Sequence, residues 1–219
     1  AAVAVMQLYE RGKLDLNDPV GKYLKDVPES WKPVSILQLM QHSSGIADYR
    51  AQKGFDVSAD YRPEQLIETV AALPLGFEPG TDVKQSATNF LLLTSIIEKA
   101  GKMPYHDFVK KYQIDYLGLR QTFFGEDLAK VKQEDVTTTG NVHQTFKKDR
   151  DYINPSETTT GYVEKDGRLV AAPAVSPTAL KGFSDIWASA ENVSHWDIGL
   201  AGSALIEKPE NRDIVYKPT

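Results

Sequence analysis

His42 and Ser86 are the residues whose types could run nucleophilic chemistry together, the histidine as base and the serine as attacking oxygen. Their surroundings argue against that pairing. Ser86 stands in Lys84-Gln85-Ser86-Ala87, without the glycines that let a strained turn present a nucleophile, and no carboxylate is placed to orient His42. His42 itself lies in Leu39-Met40-Gln41-His42-Ser43-Ser44-Gly45-Ile46, at the end of a short helical pattern, where a histidine usually bonds backbone or caps the last turn. His42, His106, His143 and His195 have neither the i, i+4 spacing nor the flanking carboxylates of a metal centre, so no metal and no other cofactor is expected.

The rest of the composition removes further classes of function. A net charge of -5 without a basic cluster argues against a nucleic-acid partner, because phosphate neutralisation needs gathered Lys and Arg. With no cysteine, thiol catalysis, disulfides and thiolate metal sites are excluded. The 219 residues, 41% hydrophobic and 25% charged, suffice for one good core, and no apolar run is long enough to cross a bilayer.

The elements that must position these residues read mostly as helices. Ala1 to Arg11 has Val5, Leu8 and Tyr9 on one apolar face and Gly12 where a left-handed cap belongs. No capping residue precedes it, which leads us to expect that Ala1 lies inside a longer protein. Val20 to Leu24 suits one more helical turn. Ser35-Ile36-Leu37-Gln38 has the form of a capping box, opening a helix that runs to about His42. Pro63 suits the first position of the next helix, with Leu66, Ile67, Val70 and Leu73 as its buried stripe. Phe90 to Lys99 is strongly apolar and closes at Gly101, and Pro104 opens a helix in which Tyr105, Phe108, Val109 and Tyr112 share a side. Thr137 to Thr160 reads as an extended surface excursion. Gly161 to Val170 reads as a β-hairpin turning at Asp166-Gly167. Ser189 begins a last helix with Val193, Trp196 and Leu200 inward, and Asn192-Val193-Ser194 has the form of a glycosylation acceptor.

Four segments, in order, carry a resemblance to a family. Gln7 to Val20 contains Gly12-Lys13-Leu14 followed by Asn17-Asp18-Pro19. Ser35 to Gly45 reads Ser-Ile-Leu-Gln-Leu-Met-Gln-His-Ser-Ser-Gly. Leu117-Gly118-Leu119-Arg120-Gln121-Thr122 follows the Pro104 helix, and Lys181-Gly182-Phe183-Ser184 precedes the helix ending near Trp196-Asp197. Together they resemble the central part of the penicillin-recognising serine hydrolases, which include class C β-lactamases, DD-peptidases, D-aminopeptidases and related esterases.

The resemblance implies an α+β fold, of which this chain is the mainly helical region. A small β element is expected near residues 159 to 172, with most of the family's antiparallel sheet missing, so that residues 1–219 form a single partial domain. It also implies acyl transfer by a serine that belongs to a Ser-x-x-Lys, a motif these residues do not contain. Pro79-Gly80-Thr81 aligns Gln85 with the tyrosine and Ala87 with the asparagine of the family's Tyr-x-Asn, so both catalytic positions are substituted. A carboxamide has no accessible protonation change near neutral pH and cannot shuttle a proton as a tyrosine does. Ser86, Gly182 and Phe183 are the implied substrate-binding residues, and His42, Ser44 and Gly45 the implied structural motif of the site floor. The expected function is a portion of a β-lactamase-like hydrolase of β-lactam, D-amino-acid peptide or ester substrates, inactive as this chain alone. The alternative is a non-catalytic relative that binds a cell-wall ligand or a protein partner. The implied partner is a small-molecule or peptide ligand, with no transmembrane segment, self-association through exposed apolar faces, and a periplasmic or secreted location.

Overall fold

The computed structural model describes residues 1–130, 136–139, 142–145 and 158–216. The first helix, α1 (Ala2–Glu10), ends as expected, with Gly12 at φ 63° and the Lys13 N–H reaching back to the Leu8 carbonyl at 2.9 Å. Its burial is broader than a single face. Every residue from Val3 to Leu8 is buried, while Tyr9 is only half-buried, so α1 is a central helix enclosed on all sides. Gln7 is tolerated there because its amide donates to the Tyr112 carbonyl at 3.1 Å and its oxygen accepts from Gln113 at 3.3 Å.

A short turn of helix, α2 (Val20–Tyr23), precedes α3 (Ile36–Met40). The capping box of α3 forms in both directions: Ser35 Oγ accepts from the Gln38 N–H at 3.1 Å, and Gln38 Oε1 accepts from the Ser35 N–H at 2.9 Å. In α4 (Pro63–Ala71) the proline takes the first position, but only Leu66 and Val70 are buried; Ile67 is half-buried and Leu73, beyond the helix, is exposed.

The second central helix, α5 (Ala87–Gly101), begins three residues before the apolar pattern does. It is buried from Ala87 through Asn89 and again at Leu91 to Thr94, Ile96 and Ile97, and it packs against α1, α3 and α4. The left-handed residue after it is Lys102, at φ 53°, and not Gly101. Gly101 serves a close approach instead, since an added Cβ would stand 3.2 Å from the Phe108 ring.

The next helix, α6 (Tyr105–Val109), runs into a wider π-type turn over Lys110–Ile114. Strand β1 (Thr122–Phe124) and helix α7 (Gly125–Lys130) follow. Of the stretch read as a surface excursion, residues 140, 141 and 146–157 lie outside the described residues. Val136–Thr139 (β2) and Val142–Thr145 (β3) pair antiparallel, so the start of that stretch is a strand pair. The expected hairpin forms as β4 (Tyr162–Lys165) and β5 (Arg168–Ala171), turning through Asp166 at φ 53° and Gly167 at φ 71°. Its eight strand residues are all exposed.

A further strand, β6 (Ile186–Ala188), pairs antiparallel with β1, placing Phe123 opposite Trp187. The described residues thus hold three two-stranded sheets where one hairpin was expected. Helix α8 (Ala190–Ala201) is capped by Ser189, which accepts from the Asn192 N–H at 3.2 Å. Leu200 points inward, but Val193 is 54% exposed, contrary to the sequence reading. Asn192 is buried, and its side-chain oxygen accepts from the Gln121 N–H and the Thr122 hydroxyl, so it is spent on structure and is no open acceptor for glycan.

One more helix, α9 (Pro209–Tyr216), escaped the sequence reading. A side chain from the far end of the chain caps it: the Glu10 carboxylate accepts from the Glu207 N–H (3.0 Å), the Lys208 N–H (2.9 Å) and the Asn211 amide (2.9 Å). Partial burial alone would raise the pKa of Glu10, but these three donors outweigh it and hold the carboxyl below its ordinary value of 4.5. A carboxylate depressed in the folded state contributes stability above its unfolded value and loses it as pH falls through the folded one. Amide protection at Glu207 and Lys208, relative to the intrinsic exchange rate at each pH, is therefore expected to fall as pH drops below 4.5, and Glu10→Gln is expected to show that lower protection already at pH ~7.

Candidate active-site wall

The chain reverses sharply after α3 because His42 adopts φ 58° and Gly45 φ 74°. The two left-handed residues bracket Ser43 and Ser44, and the segment between them is pinned on both sides. The Gly80 N–H donates to the Ser43 carbonyl and the Gly76 N–H to the Gly45 carbonyl, each at 2.8 Å. A side chain at Gly45 would collide with the Phe77 carbonyl oxygen, so this position demands glycine for space as well as for conformation. Ser44 is fully buried; its hydroxyl donates to Asn89 Oδ1 at 2.7 Å and accepts from the Ile46 N–H.

His42 holds the Lys84 to Asn89 segment at three points. Its carbonyl accepts from the Lys84 N–H at 3.0 Å. Its Nδ1 lies 3.3 Å from the Ser86 N–H, and 3.3 Å from the Asn89 amide nitrogen. A backbone N–H can only donate, so Nδ1 is the acceptor and the ring proton of the neutral imidazole sits on Nε2. The same logic orients Asn89, whose oxygen is taken by the Ser44 hydroxyl and whose nitrogen faces His42. The ring stacks on Phe90, with centroids 5.0 Å apart. Desolvation by burial pushes the imidazole below its usual pKa of 6.5, against an opposing pull from Asp48.

This clamp sets the three motif positions at the entry to α5, with Ser86 in extended backbone and Ala87 opening the helix. Ser86 is 1% exposed, and its hydroxyl donates to the Ala47 carbonyl at 3.3 Å, so it is turned inward. Ala87 is fully buried as the first residue of α5. Gln85, between residues whose N–H groups both point to His42, is exposed, and among the described residues its carboxamide makes no hydrogen bond.

Gly182 and Phe183 approach the same helix from the other end of the chain. Gly182, at φ 76°, fits against Thr94 and the Phe90 carbonyl, where a side chain would not. Its N–H donates to Asp185 at 2.8 Å. Phe183 meets Phe90 edge to face at 6.1 Å, and the Arg50 guanidinium lies over its outer face at 4.3 Å. Asp48 holds that guanidinium through both carboxylate oxygens, the shortest contact being 2.6 Å. A continuous stack thus runs from His42 through Phe90 and Phe183 to Arg50.

The structure brings seven of the singled-out positions, His42, Ser44, Ser86, Ala87, Gln85, Gly182 and Phe183, around the first two turns of α5, with Gly45 one residue beyond. Asn89, Asp48 and Arg50 join them and were missed. Asn89 carried a signal in its composition, since a polar residue inside an apolar helix must find partners. Among the described residues no group of side chains is arranged to hold a metal ion. Replacing Gly45 by alanine should destabilise the protein by more than ~2 kcal/mol, because it adds backbone strain to a steric clash; thermal unfolding of the variant beside an alanine substitution at exposed Gly54 measures it.

PbpX of Bacillus subtilis, which carries the name penicillin-binding protein, is 30% identical over 124 residues, covering 56% of this chain and 30% of PbpX. Among solved structures, a D-stereospecific amidohydrolase from Streptomyces superposes with a TM-score of 0.75 at 21% identity, over 97% of this chain and 60% of that one. The octameric penicillin-binding protein homologue from Pyrococcus abyssi gives a TM-score of 0.69 at 25% identity, over 97% of this chain and 45% of that one. The chain therefore spans under a third of this curated relative and about half of these structural ones. The fold is the one these proteins share, and the sequence matches the Beta-lactamase family from residue 1 to residue 215. The chain belongs to the Beta-lactamase family.

Proposed function

We propose that this chain is the helical wall of a substrate cleft, one partial domain of a β-lactamase-like serine hydrolase acting by acyl transfer on β-lactam, D-amino-acid peptide or ester substrates. By itself it does not turn over substrate. The observation that carries this reading is the His42 clamp: its three contacts fix the segment from Lys84 to Asn89 at the entry to α5 and leave Gln85, beside exposed Lys84, facing outward where the family places its tyrosine. A segment held this way is suited to presenting one side chain to a ligand. Family membership supports the reaction class, and the name D-alanyl-D-alanine carboxypeptidase among the relatives agrees with it.

Gln85 also favours a second reading, a relative that binds acyl ligands without hydrolysing them. Its carboxamide can hydrogen-bond to a ligand but cannot carry a proton from the nucleophile to the leaving group. In either case the apolar side chains exposed at Ile186, Trp187, Val193 and Ile198 support self-association or cover by another surface.

The test uses a protein carrying this chain together with a Ser-x-x-Lys segment, assayed on a chromogenic cephalosporin and a p-nitrophenyl ester. The hydrolase reading expects turnover that is abolished by replacing that serine and raised ~100-fold or more by Gln85→Tyr, the range a positioned proton shuttle supplies. Absence of turnover in both the parent and the Gln85→Tyr protein, with ligand still bound, would establish the binding role.

A further inference from the structure

The hairpin of β4 and β5 has no neighbour in its own sheet. All eight of its strand residues are exposed, Leu169 to 75%, and among the described residues no third strand pairs with either edge. A two-stranded hairpin in that situation is only marginally stable. This one is weakened further at its tip, where Lys165 stands directly opposite Arg168 and like charges face each other.

The register decides which backbone groups are open. The Ala172 N–H donates to the Gly161 carbonyl at 2.8 Å, so these two residues form a hydrogen-bonded pair, and the alternation of an antiparallel ladder makes Val163 and Val170 the next one. Leu169 and Ala171 therefore turn their N–H and C=O groups outward from β5, as Tyr162 and Glu164 do from β4. The two edges differ in charge. Along β4 the run Glu164-Lys165-Asp166 is charged throughout, the kind of edge that resists pairing with another chain. Along β5, Leu169, Val170, Ala171 and Ala172 carry no charge, and Arg168 stands alone at one end.

We propose that the β5 edge pairs with the same edge of a second copy of this chain, making a four-stranded antiparallel sheet about a two-fold axis. Centring the seam on Val170 sets Leu169 opposite Ala171 of the other copy, so the open N–H and C=O groups of both residues are paired. Val170 then faces its own copy, and Val163 lies beside it on the same face, which gives one row of valines across the dimer. Arg168 falls opposite Ala172, leaving the two arginines at opposite ends of the seam, about 14 Å apart along the strands and beyond a screening length of about 10 Å. No like charges meet across the axis. An edge complementary to itself in this way selects a second copy as its occupant. Centring on Leu169 would run the ladder into the turn at Gly167, and centring on Ala171 would bring Pro173, which has no N–H, opposite Leu169. The pairing does not depend on whether the protein hydrolyses its ligand or only binds it.

Because the chain has no cysteine, a single introduced one is diagnostic. At a non-hydrogen-bonded pair the Cα atoms stand about 4.5 Å apart, within the span of a disulfide, so Val170→Cys is expected to give a linked dimer under oxidised glutathione. Leu169→Cys and Val163→Cys, likewise exposed but displaced from the axis along the strand and across the sheet, are expected to stay unlinked. Sedimentation over a concentration series is expected to move the unsubstituted chain from 24.3 kDa toward twice that mass, with the Leu169 and Ala171 amides gaining protection from exchange in step. Val170→Lys, which opposes two ammonium groups at the axis, is expected to weaken the dimer at least about tenfold. All these positions are exposed, so the variants are expected to fold, as unchanged circular dichroism would verify. A monomer at every concentration, equal linking at the three cysteines, or a dimer indifferent to Val170→Lys would each overturn the proposal. Protection of Leu169 and Ala171 in a monomer would overturn it too, since another strand of the same chain would then hold the edge.

Discussion

One imidazole nitrogen organises the face of this protein that matters. His42 Nδ1 accepts from the Ser86 N–H and faces the Asn89 amide, while the carbonyl of the same residue accepts from Lys84, so a single left-handed residue grips a segment more than forty positions away. The grip is possible because Gly45 admits the Phe77 carbonyl, and because the Ser44 hydroxyl turns Asn89 so that its nitrogen and not its oxygen faces the ring. Remove the acceptor and the first turn of α5 loses the partner of a buried donor, which costs about 1–3 kcal/mol where water cannot substitute.

Below that face the protein is built to resist deformation. Both α1 and α5 are enclosed on almost every side, and each fully buried Leu or Ile contributes roughly 1.5–3 kcal/mol of apolar burial. Helices held in this way cannot slide to relieve a local misfit, because well-packed interiors transmit strain. The stack of His42, Phe90, Phe183 and Arg50 is therefore mounted on a rigid floor. The exposed chemistry, Gln85 and Lys84, stands on backbone tied to that floor by the Lys84 and Ser86 N–H bonds to His42.

How much of this could be read from the residues depended on the range of the forces involved. Local chemistry was legible: the Ser35 and Gln38 capping box, Pro63 at a helix start, Gly12 after α1 and the Asp166-Gly167 turn all act within a few positions. The start of α5 was not, because Ser86 and Ala87 lack the apolar period and the Ser86 hydroxyl bonds the Ala47 carbonyl instead of capping its own helix. Helix α9 was missed for the same kind of reason, since a carboxylate 197 to 201 positions away on α1 holds it and no strong apolar stripe announces it. The motif positions themselves came from resemblance, and only the structure placed Asn89, Asp48 and Arg50 with them.

The clamp depends on the protonation state of the His42 ring. Desolvation lowers its pKa below 6.5, so it contributes stability at neutral pH as an acceptor and loses it as pH falls through the folded value. Long-range nitrogen NMR of the imidazole at pH ~7 reports which nitrogen carries the proton. A bare Nδ1 with the proton on Nε2, together with a slowly exchanging Ser86 amide, is the predicted result; a proton on Nδ1, or an imidazolium at that pH with Ser86 unprotected, would contradict it.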